Sequence, residues 1–138
     1  MTKGLLLAVL AALMITPFAA AAQSRTSTIP NPPVLYSLHG VLSGYVAYDA
    51  STQTPGSITI LVKRSNYHSI ALHNQSLTFA VGAKTRITLL NGVHAIANGD
   101  RGGVTLMAPL RIPAADLTAT LQSKTARGIV DIGPPPTS

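Results

Sequence analysis

The sequence predicts an all-β protein, a small and partly open β-barrel of five to six strands with at most one short helical turn. Three observations support this prediction. Apolar and polar residues alternate with a period of two in several short segments, Thr, Val, Ile and Gly are frequent beyond the first residues, and the 138-residue chain contains no Glu. Because closing a sheet removes its exposed edges, we expect a barrel, with a small β-sandwich as the alternative.

The first 22 residues have the pattern of a secretory signal peptide. Lys3 precedes an uninterrupted apolar run over residues 4–15, and Pro17 and the alanines at 20–22 follow it. The run is shorter than the roughly 20 residues that span a bilayer, so it predicts a signal helix that is cleaved after Ala22. No later segment is long and apolar enough for a transmembrane helix. We therefore expect an extracytoplasmic protein, secreted to the periplasm, the cell wall or the medium.

The remaining chain divides into a linker, one domain and a tail. Residues 23–33 form a polar, proline-rich linker, residues 34–133 the β-barrel domain, and residues 134–138 a second proline-rich segment. Neither proline-rich segment can bury apolar surface. The chain has no Cys, so the stability of the domain must come from its hydrophobic core rather than from disulfides.

The first predicted strand is long and contains two glycines. It starts at Val34 and reaches Tyr48, and Gly40 and Gly44 interrupt its alternation, as glycines do at the bends and bulges of tightly curved strands. The positions predicted to face the core are Val34, Tyr36, Leu38, Leu42, Val46 and Tyr48.

The later strands are shorter and are separated by polar turns. A hairpin loop over residues 49–56 precedes strands at 57–64, 76–81, 85–90 and 104–112 and a last strand within 119–132. The predicted inward side chains of the second and third strands are Ile58, Ile60, Val62, Leu77, Phe79 and Val81. The segment 65–75 can form a helical turn, in which Ile70 and Leu72 would cover an open end of the barrel.

The glycine-rich stretch 91–106 raises the question of a phosphate-binding loop. Such a loop needs a following helix and a Lys at fixed spacing, whereas a strand follows here. Asn91-Gly92 and Asn98-Gly99-Asp100 are turn sequences, because Asn, Asp and Gly tolerate positive φ. The stretch is therefore predicted to be a turn between strands.

Four segments carry a resemblance to a known family: Gly56–Ile60, Leu77–Val81, Thr85–Ile87 and Gly99–Arg101. In their order and spacing they resemble a family of small secreted bacterial β-barrel domains of unknown function, with an OB-like (oligonucleotide/oligosaccharide-binding-like) barrel. The resemblance covers residues 40–132 and departs from the family at Gly102-Gly103, which separate the Gly-Asp turn from the next strand. It implies the fold and brings no activity, cofactor or catalytic residue.

The residues that carry chemistry form no recognisable catalytic or metal-binding pattern. The spacing of His68 and His73 matches neither one helix face nor one strand face, and no G-x-S-x-G nucleophile elbow occurs. The four carboxylates are Asp49, Asp100, Asp116 and Asp131, and the remaining histidines are His39 and His94. We predict no catalytic residue, no metal and no cofactor, and a small hydrolase is the least favoured class.

The charge of the protein is positive and scattered along the chain. The formal net charge is +6 at pH 7, without any run of like charges. This favours a non-enzymatic binding or structural module, whose partner is an anionic envelope polymer or another envelope protein. The alternative is a binder of anionic polysaccharide or single-stranded nucleic acid, although few aromatic residues are available to stack on bases. Exposure and charge select the candidate ligand-binding residues Lys63, Arg64, Tyr45, Tyr67, His68 and Arg86.

Overall fold

The computed structural model describes residues 30–137, in which five β-strands form one sheet that closes into a ring. The predicted signal peptide at residues 1–22 and the linker up to residue 29 lie outside the described residues. The all-β fold of five strands that the sequence predicts is therefore confirmed for the described part of the chain, and its sheet is closed where a partly open one was expected. Within that part, none of the helices has the length and apolar character needed to cross a membrane.

The ring follows the order β1-β2-β3-β5-β4 and returns to β1. All neighbouring strands are antiparallel except β3 and β5, which are parallel. The strands are β1 (Pro33–Val46), β2 (Gly56–Ser65), β3 (Ser76–Leu89), β4 (Arg101–Pro109) and β5 (Thr125–Gly133).

Two long strands close the ring because each changes its partner along its length. The first half of β1, from Pro33 to Val41, pairs with β4, and from Leu38 onward β1 pairs with β2. Likewise β3 pairs with β2 from Ser76 to Val81 and with β5 mostly beyond that point. A strand that pairs with different neighbours along its length must bend, and β-bulges produce these bends.

The bends of β1 lie at its glycines, as the sequence predicts. The pairing of β1 with β2 shifts register between His39 and Gly40 and again between Ser43 and Val46, and Gly44 has a positive φ of 61°. The second shift alters the alternation, so Val46 is 58% exposed. The prediction that Val46 faces the core is therefore wrong, because the bulge at Gly44 turns the strand end outward.

The strand β3 unites two segments that the sequence analysis treats as separate strands, 76–81 and 85–90. The prediction of two strands is wrong here because Gly82 lies in a bulge rather than in a turn: the β3–β5 ladder continues on both sides of it. At the other boundary, β4 begins at Arg101 instead of Val104, so Gly102 and Gly103 belong to the strand.

Helical segments cover parts of the barrel surface. A first 3₁₀ helix spans Tyr67–Leu72, where the sequence predicts a helical turn, and a second spans Ala114–Asp116 and leads into α1 (Leu117–Gln122). The region 119–132 thus begins in a helix and enters β5 only at Thr125. In the first 3₁₀ helix Leu72 is buried, whereas Ile70 is 55% exposed and does not cover the barrel as predicted.

The core fills the interior of the ring and confirms the period-two predictions for the second and third predicted strands. Tyr36 belongs to the core, and its hydroxyl donates a hydrogen bond to the carbonyl of Pro109 at 2.8 Å. Leu117 and Leu121 of α1, four residues apart on one helix face, join the same cluster. The other buried apolar side chains are Leu38, Leu42, Ile58, Ile60, Val62, Leu72, Leu77, Phe79, Val81, Val104, Leu106, Ala108, Ala126 and Ile129.

The segment between β3 and β4 is a set of turns, as predicted. Asn91, Gly92 and Gly99 all have positive φ, at 56°, 77° and 89°. The Asn98 side chain accepts a hydrogen bond from the Gly44 amide at 2.8 Å, and the Gly99 amide donates to the carbonyl of Leu42 at 2.9 Å. These bonds fix the end of the turn segment to the bulged part of β1.

Candidate functional site

A groove of about 310 Å³ crosses the outer surface of the barrel. Strands β1, β2, β4 and β5 contribute to it, together with the chain that follows β5. Its lining consists of His39, Gly40, Val41, Lys63, Arg64, Arg101, Gly102, Ile132 and Pro135. The groove therefore collects residues that are far apart in the sequence.

The strand register explains why these residues meet. His39 pairs with Arg64 across the β1–β2 ladder, and Val41 pairs with Arg101 across the β1–β4 ladder. Between these two pairs, Gly40 of β1 lies opposite Gly102 of β4. Cross-strand neighbours have Cβ atoms about 5 Å apart, so β1 brings the cations of β2 and β4 to either side of a narrow strip of backbone.

The glycines are required by packing in this strip. A methyl group on Gly40 would overlap the carbonyl oxygen of Leu61, and one on Gly102 would overlap the carbonyl oxygen of Val130 and crowd the side chain of Leu42. Only Gly fits where the backbones approach so closely. Gly40 and Gly102 therefore contribute only backbone atoms to the groove lining.

The electrostatics of the groove are positive. Lys63, Arg64 and Arg101 are exposed at its rim, and no carboxylate belongs to the lining among residues 30–137. Lys63 makes one long hydrogen bond, from its ammonium to the Asn74 side-chain oxygen at 3.4 Å. Three positive charges along one partly apolar groove attract an anion more strongly than charges scattered over the surface do.

The sequence-predicted ligand-binding residues occupy different parts of the molecule. Lys63 and Arg64 lie in the groove. Tyr67 and His68 belong to the first 3₁₀ helix, with their ring centroids 5.7 Å apart and Tyr67 84% exposed. His68 is half-buried, and its ring lies 5.7 Å from that of Tyr36.

Neither Tyr45 nor Arg86 lines the groove. Tyr45 lies in β1 and packs partly buried against the core, and this burial raises the pKa of its hydroxyl. Arg86 lies in β3 and is paired in register with Gly128 of β5. Conversely, sequence reasoning missed His39 and Arg101 as groove residues, because the β1–β4 register that brings them to the groove joins segments about 60 residues apart and leaves no local signal.

The structure also brings together two carboxylic acids that sequence spacing does not connect. Asp131 of β5 is fully buried and Asp100, just before β4, is 7% exposed. One oxygen of Asp131 accepts a hydrogen bond from the Gly133 amide at 2.8 Å, while Oδ2 is buried without a hydrogen-bond partner. Burial, and then the carboxyl group of Asp100, raise the pKa of Asp131, and the Gly133 amide offsets this only in part.

Hydrogen bonds between serine and histidine occur twice, yet neither forms a catalytic triad. The Ser37 hydroxyl and Nε2 of His39 are 3.0 Å apart, and the Ser65 hydroxyl and Nε2 of His73 are 3.1 Å apart. A triad also needs a carboxylate that orients the histidine, and no such bond joins either histidine in the part of the chain that the structure describes. Over the same residues, no group of three or more potential ligands could hold a metal ion.

Comparisons with known proteins give no relative for this chain: no family model, curated protein or solved structure matches it. The resemblance to small secreted bacterial β-barrel domains therefore stays a prediction. The geometry of the groove is the observation from which a function can be argued.

Proposed function

We propose that this protein is an exported, non-enzymatic binding module, and that its groove binds anionic groups of a cell-envelope polymer. The observation that carries the proposal is the convergence of Lys63, Arg64 and Arg101 on one groove, to which no carboxylate of residues 30–137 contributes. The export signal expected in residues 1–22 supports the envelope as the place of action.

The structure of the groove supports a polymer with charged and apolar parts. Val41, Ile132 and Pro135 provide apolar surface between the cations. A chain that carries phosphate or carboxylate groups at intervals can pair these groups with Lys63 and Arg64 while its backbone lies on the apolar strip. Because the cations sit on or at the ends of paired strands, the backbone that carries them is ordered before the ligand arrives, which lowers the entropic cost of binding.

The same geometry favours an anionic polysaccharide or a phosphate-bearing polymer over single-stranded nucleic acid. Binding of single-stranded nucleic acid relies on aromatic rings on which successive bases stack. Within the described part of the chain, no Tyr, Phe or Trp lines the groove, and the exposed ring of Tyr67 lies 5.7 Å from that of His68. Attraction in the groove therefore depends on charge rather than on stacking.

Two features argue for binding rather than catalysis. The buried pair of Asp100 and Asp131 does not line the groove, so it cannot act as acid and base on a ligand held there. The serine–histidine pairs lack an orienting carboxylate within the described residues. A hydrolase reaction at the groove would need one of these arrangements.

Co-sedimentation of the protein with cell envelopes of its own organism, at low and at high salt, tests the proposal. We expect retention at low salt and release at high salt, because salt screens exposed charges. The double variant Lys63→Ala/Arg64→Ala should weaken retention about tenfold, since each lost surface ion pair contributes up to about 1 kcal/mol.

The matched control is Arg111→Asp, which lowers the net charge by the same two units outside the groove. Retention of this control at the level of the unchanged protein would assign binding to the groove. Equal losses in the groove variant and the control, or retention that survives high salt, would contradict a groove that acts through its cations.

A further inference from the structure

The parallel ladder between β3 and β5 is interrupted by a long bulge. Val81 pairs with Ala126 and Arg86 pairs with Gly128, so residues 82–85 of β3 stand opposite the single residue Arg127 of β5. An insertion of this length pushes the β3 backbone out of the ladder and opens a space between the two strands.

The bulge is held in a fixed shape by one hydroxyl group. The hydroxyl of Thr85 accepts a hydrogen bond from the Gly82 amide at 2.9 Å and donates one to the carbonyl of Ala126 at 2.6 Å. A side chain thereby replaces the main-chain bond that the bulge removes. Gly82 is closely packed, because a methyl group there would lie 3.1 Å from the side chain of Thr125.

The space beside the bulge is a cleft of about 400 Å³ with two cations at its walls. Lys84 comes from the bulge and Arg127 from the facing strand, and both side chains are exposed. The hydroxyl-bearing Thr125 also lines the cleft, whereas no carboxylate does so among residues 30–137. An ammonium, a guanidinium and a hydroxyl around one opening suit a phosphate or carboxylate group.

The position of the cleft relates it to the groove through β5. Arg127 lines the cleft and Ile132 lines the groove, and both belong to β5, in which Arg127 is exposed and Ile132 half-buried. Five residues of a β-strand span roughly 17 Å at about 3.3 Å per residue. The half-buried Val130 lies on the strand between them.

We propose that the cleft at the β3 bulge is a second anion-binding site, and that one polyanionic chain runs along β5 from the groove to the cleft. This inference rests on the proposed function for its polymer, and it adds a second contact point with Lys84 and Arg127 as its binding residues. Two linked sites raise the affinity for a long ligand by effective concentration and leave the affinity for a short one unchanged.

The test uses inorganic polyphosphate of graded chain length as the probe, measured by calorimetry on the full domain. We expect affinity to rise steeply, by about tenfold or more, once the probe is long enough to span the distance between the sites. The cleft variant Lys84→Ala/Arg127→Ala should remove this rise and bind long polyphosphate as the unchanged protein binds short polyphosphate. Both side chains are exposed, so the variant is expected to fold normally.

Three outcomes separate this inference from the proposed function. A steep rise that persists in the cleft variant would overturn the second site, while weak binding by Lys63→Ala/Arg64→Ala would still support the groove. Loss of binding in the cleft variant together with normal binding in the groove variant would support the cleft and contradict the proposed groove function. An equal loss in the control Arg111→Asp, which lowers the net charge by the same two units outside both sites, would show that only the total charge matters, and would overturn both sites.

Discussion

At the scale of single residues, Asp131 is a carboxylic acid whose buried surroundings disfavour its charged form. Its carboxyl group is fully buried, one oxygen has no hydrogen-bond partner, and Asp100 lies beside it. Burying an unpartnered charge is costly, so the folded protein favours the protonated acid. Asp131 therefore makes the stability of the domain depend on pH.

The sign of this dependence follows from the raised pKa of Asp131. Below the ordinary pKa of 3.8 the acid is protonated in both states, and its stabilising effect is fully present. As pH rises from there through the higher folded-state pKa, the unfolded chain releases the proton first, so the free energy of unfolding falls. We expect the free energy of unfolding of Asp131→Asn, measured by urea denaturation between pH 3.5 and 8, to fall less with pH than that of the unchanged protein. At pH 8 the variant should be more stable than the unchanged protein by about 1–3 kcal/mol.

The exposed Asp116 provides the control for that measurement, because Asp116→Asn removes a carboxylate without touching the buried pair. Its pH profile should match that of the unchanged protein. If Asp131→Asn and the unchanged protein lost stability in parallel as pH rises, the acid would not be the source of the dependence.

At the scale of elements, the first 3₁₀ helix buries one of its apolar side chains in the core and exposes another to solvent. Leu72 is 1% exposed and belongs to the hydrophobic core, whereas Ile70, two residues earlier, is 55% exposed. The amide of His73 donates to the carbonyl of Ile70 at 3.3 Å, which ends the turn directly after Leu72. Leu72 is the apolar side chain by which this turn packs into the core, and Ser69 of the same turn is buried as well.

Two alanine variants test this division. Leu72→Ala should lower the free energy of unfolding by about 2–5 kcal/mol, because it leaves a cavity in the core. Ile70→Ala changes a similar volume on the same turn and should lower it by less than about 0.5 kcal/mol, since its side chain is already largely in water. Chemical denaturation measures both, and equal losses would show that Ile70 also packs against the barrel in solution.

The elements also show what can be predicted from sequence and what cannot. Alternation identified the inward side chains of β2 and the first half of β3, because a residue's face depends only on its immediate neighbours along the strand. The same alternation predicts two strands, 76–81 and 85–90, instead of one, since the Thr85 hydroxyl that holds the bulge between them bonds to Ala126, which lies 41 residues away. Local sequence marks a glycine as a break and does not say whether the strand resumes.

The candidate sites were less predictable than the strands. Lys63 and Arg64 were identified from charge and exposure, but Arg101 joins them only through the pairing of β1 with β4. The proximity of Asp100 and Asp131 depends on the β4–β5 register in the same way. Such long-range register follows from the closure of the ring and has no signature in any short segment.

At the scale of the whole molecule, every strand has two hydrogen-bonded neighbours, so the described sheet has no free edge. Opening any one strand breaks two ladders and exposes part of the shared core. We therefore expect the ring to unfold as one cooperative unit.

Native-state hydrogen exchange at increasing urea concentration measures this cooperativity. Amides in all five strands should converge on the same free energy of opening, while amides of residues 83–85 in the bulge should exchange earlier through local opening. If the amides of four strands converged on one free energy of opening while those of β5 exchanged early, the ring would not unfold as a single unit. The interrupted parallel ladder between β3 and β5 would then be its least stable part.

The polar loop between β1 and β2 gives the barrel a practical attachment point. Asp49 and Thr54 close the base of the loop by two backbone hydrogen bonds, at 3.0 and 3.1 Å, and residues 50–53 beyond them are exposed. Exposed loop tips of this kind accept inserted peptides. From Ser57 near this loop to Lys63 in the groove, β2 spans roughly 20 Å. An affinity peptide placed at residues 51–53 would therefore allow the protein to be immobilised while the groove stays accessible to its ligand.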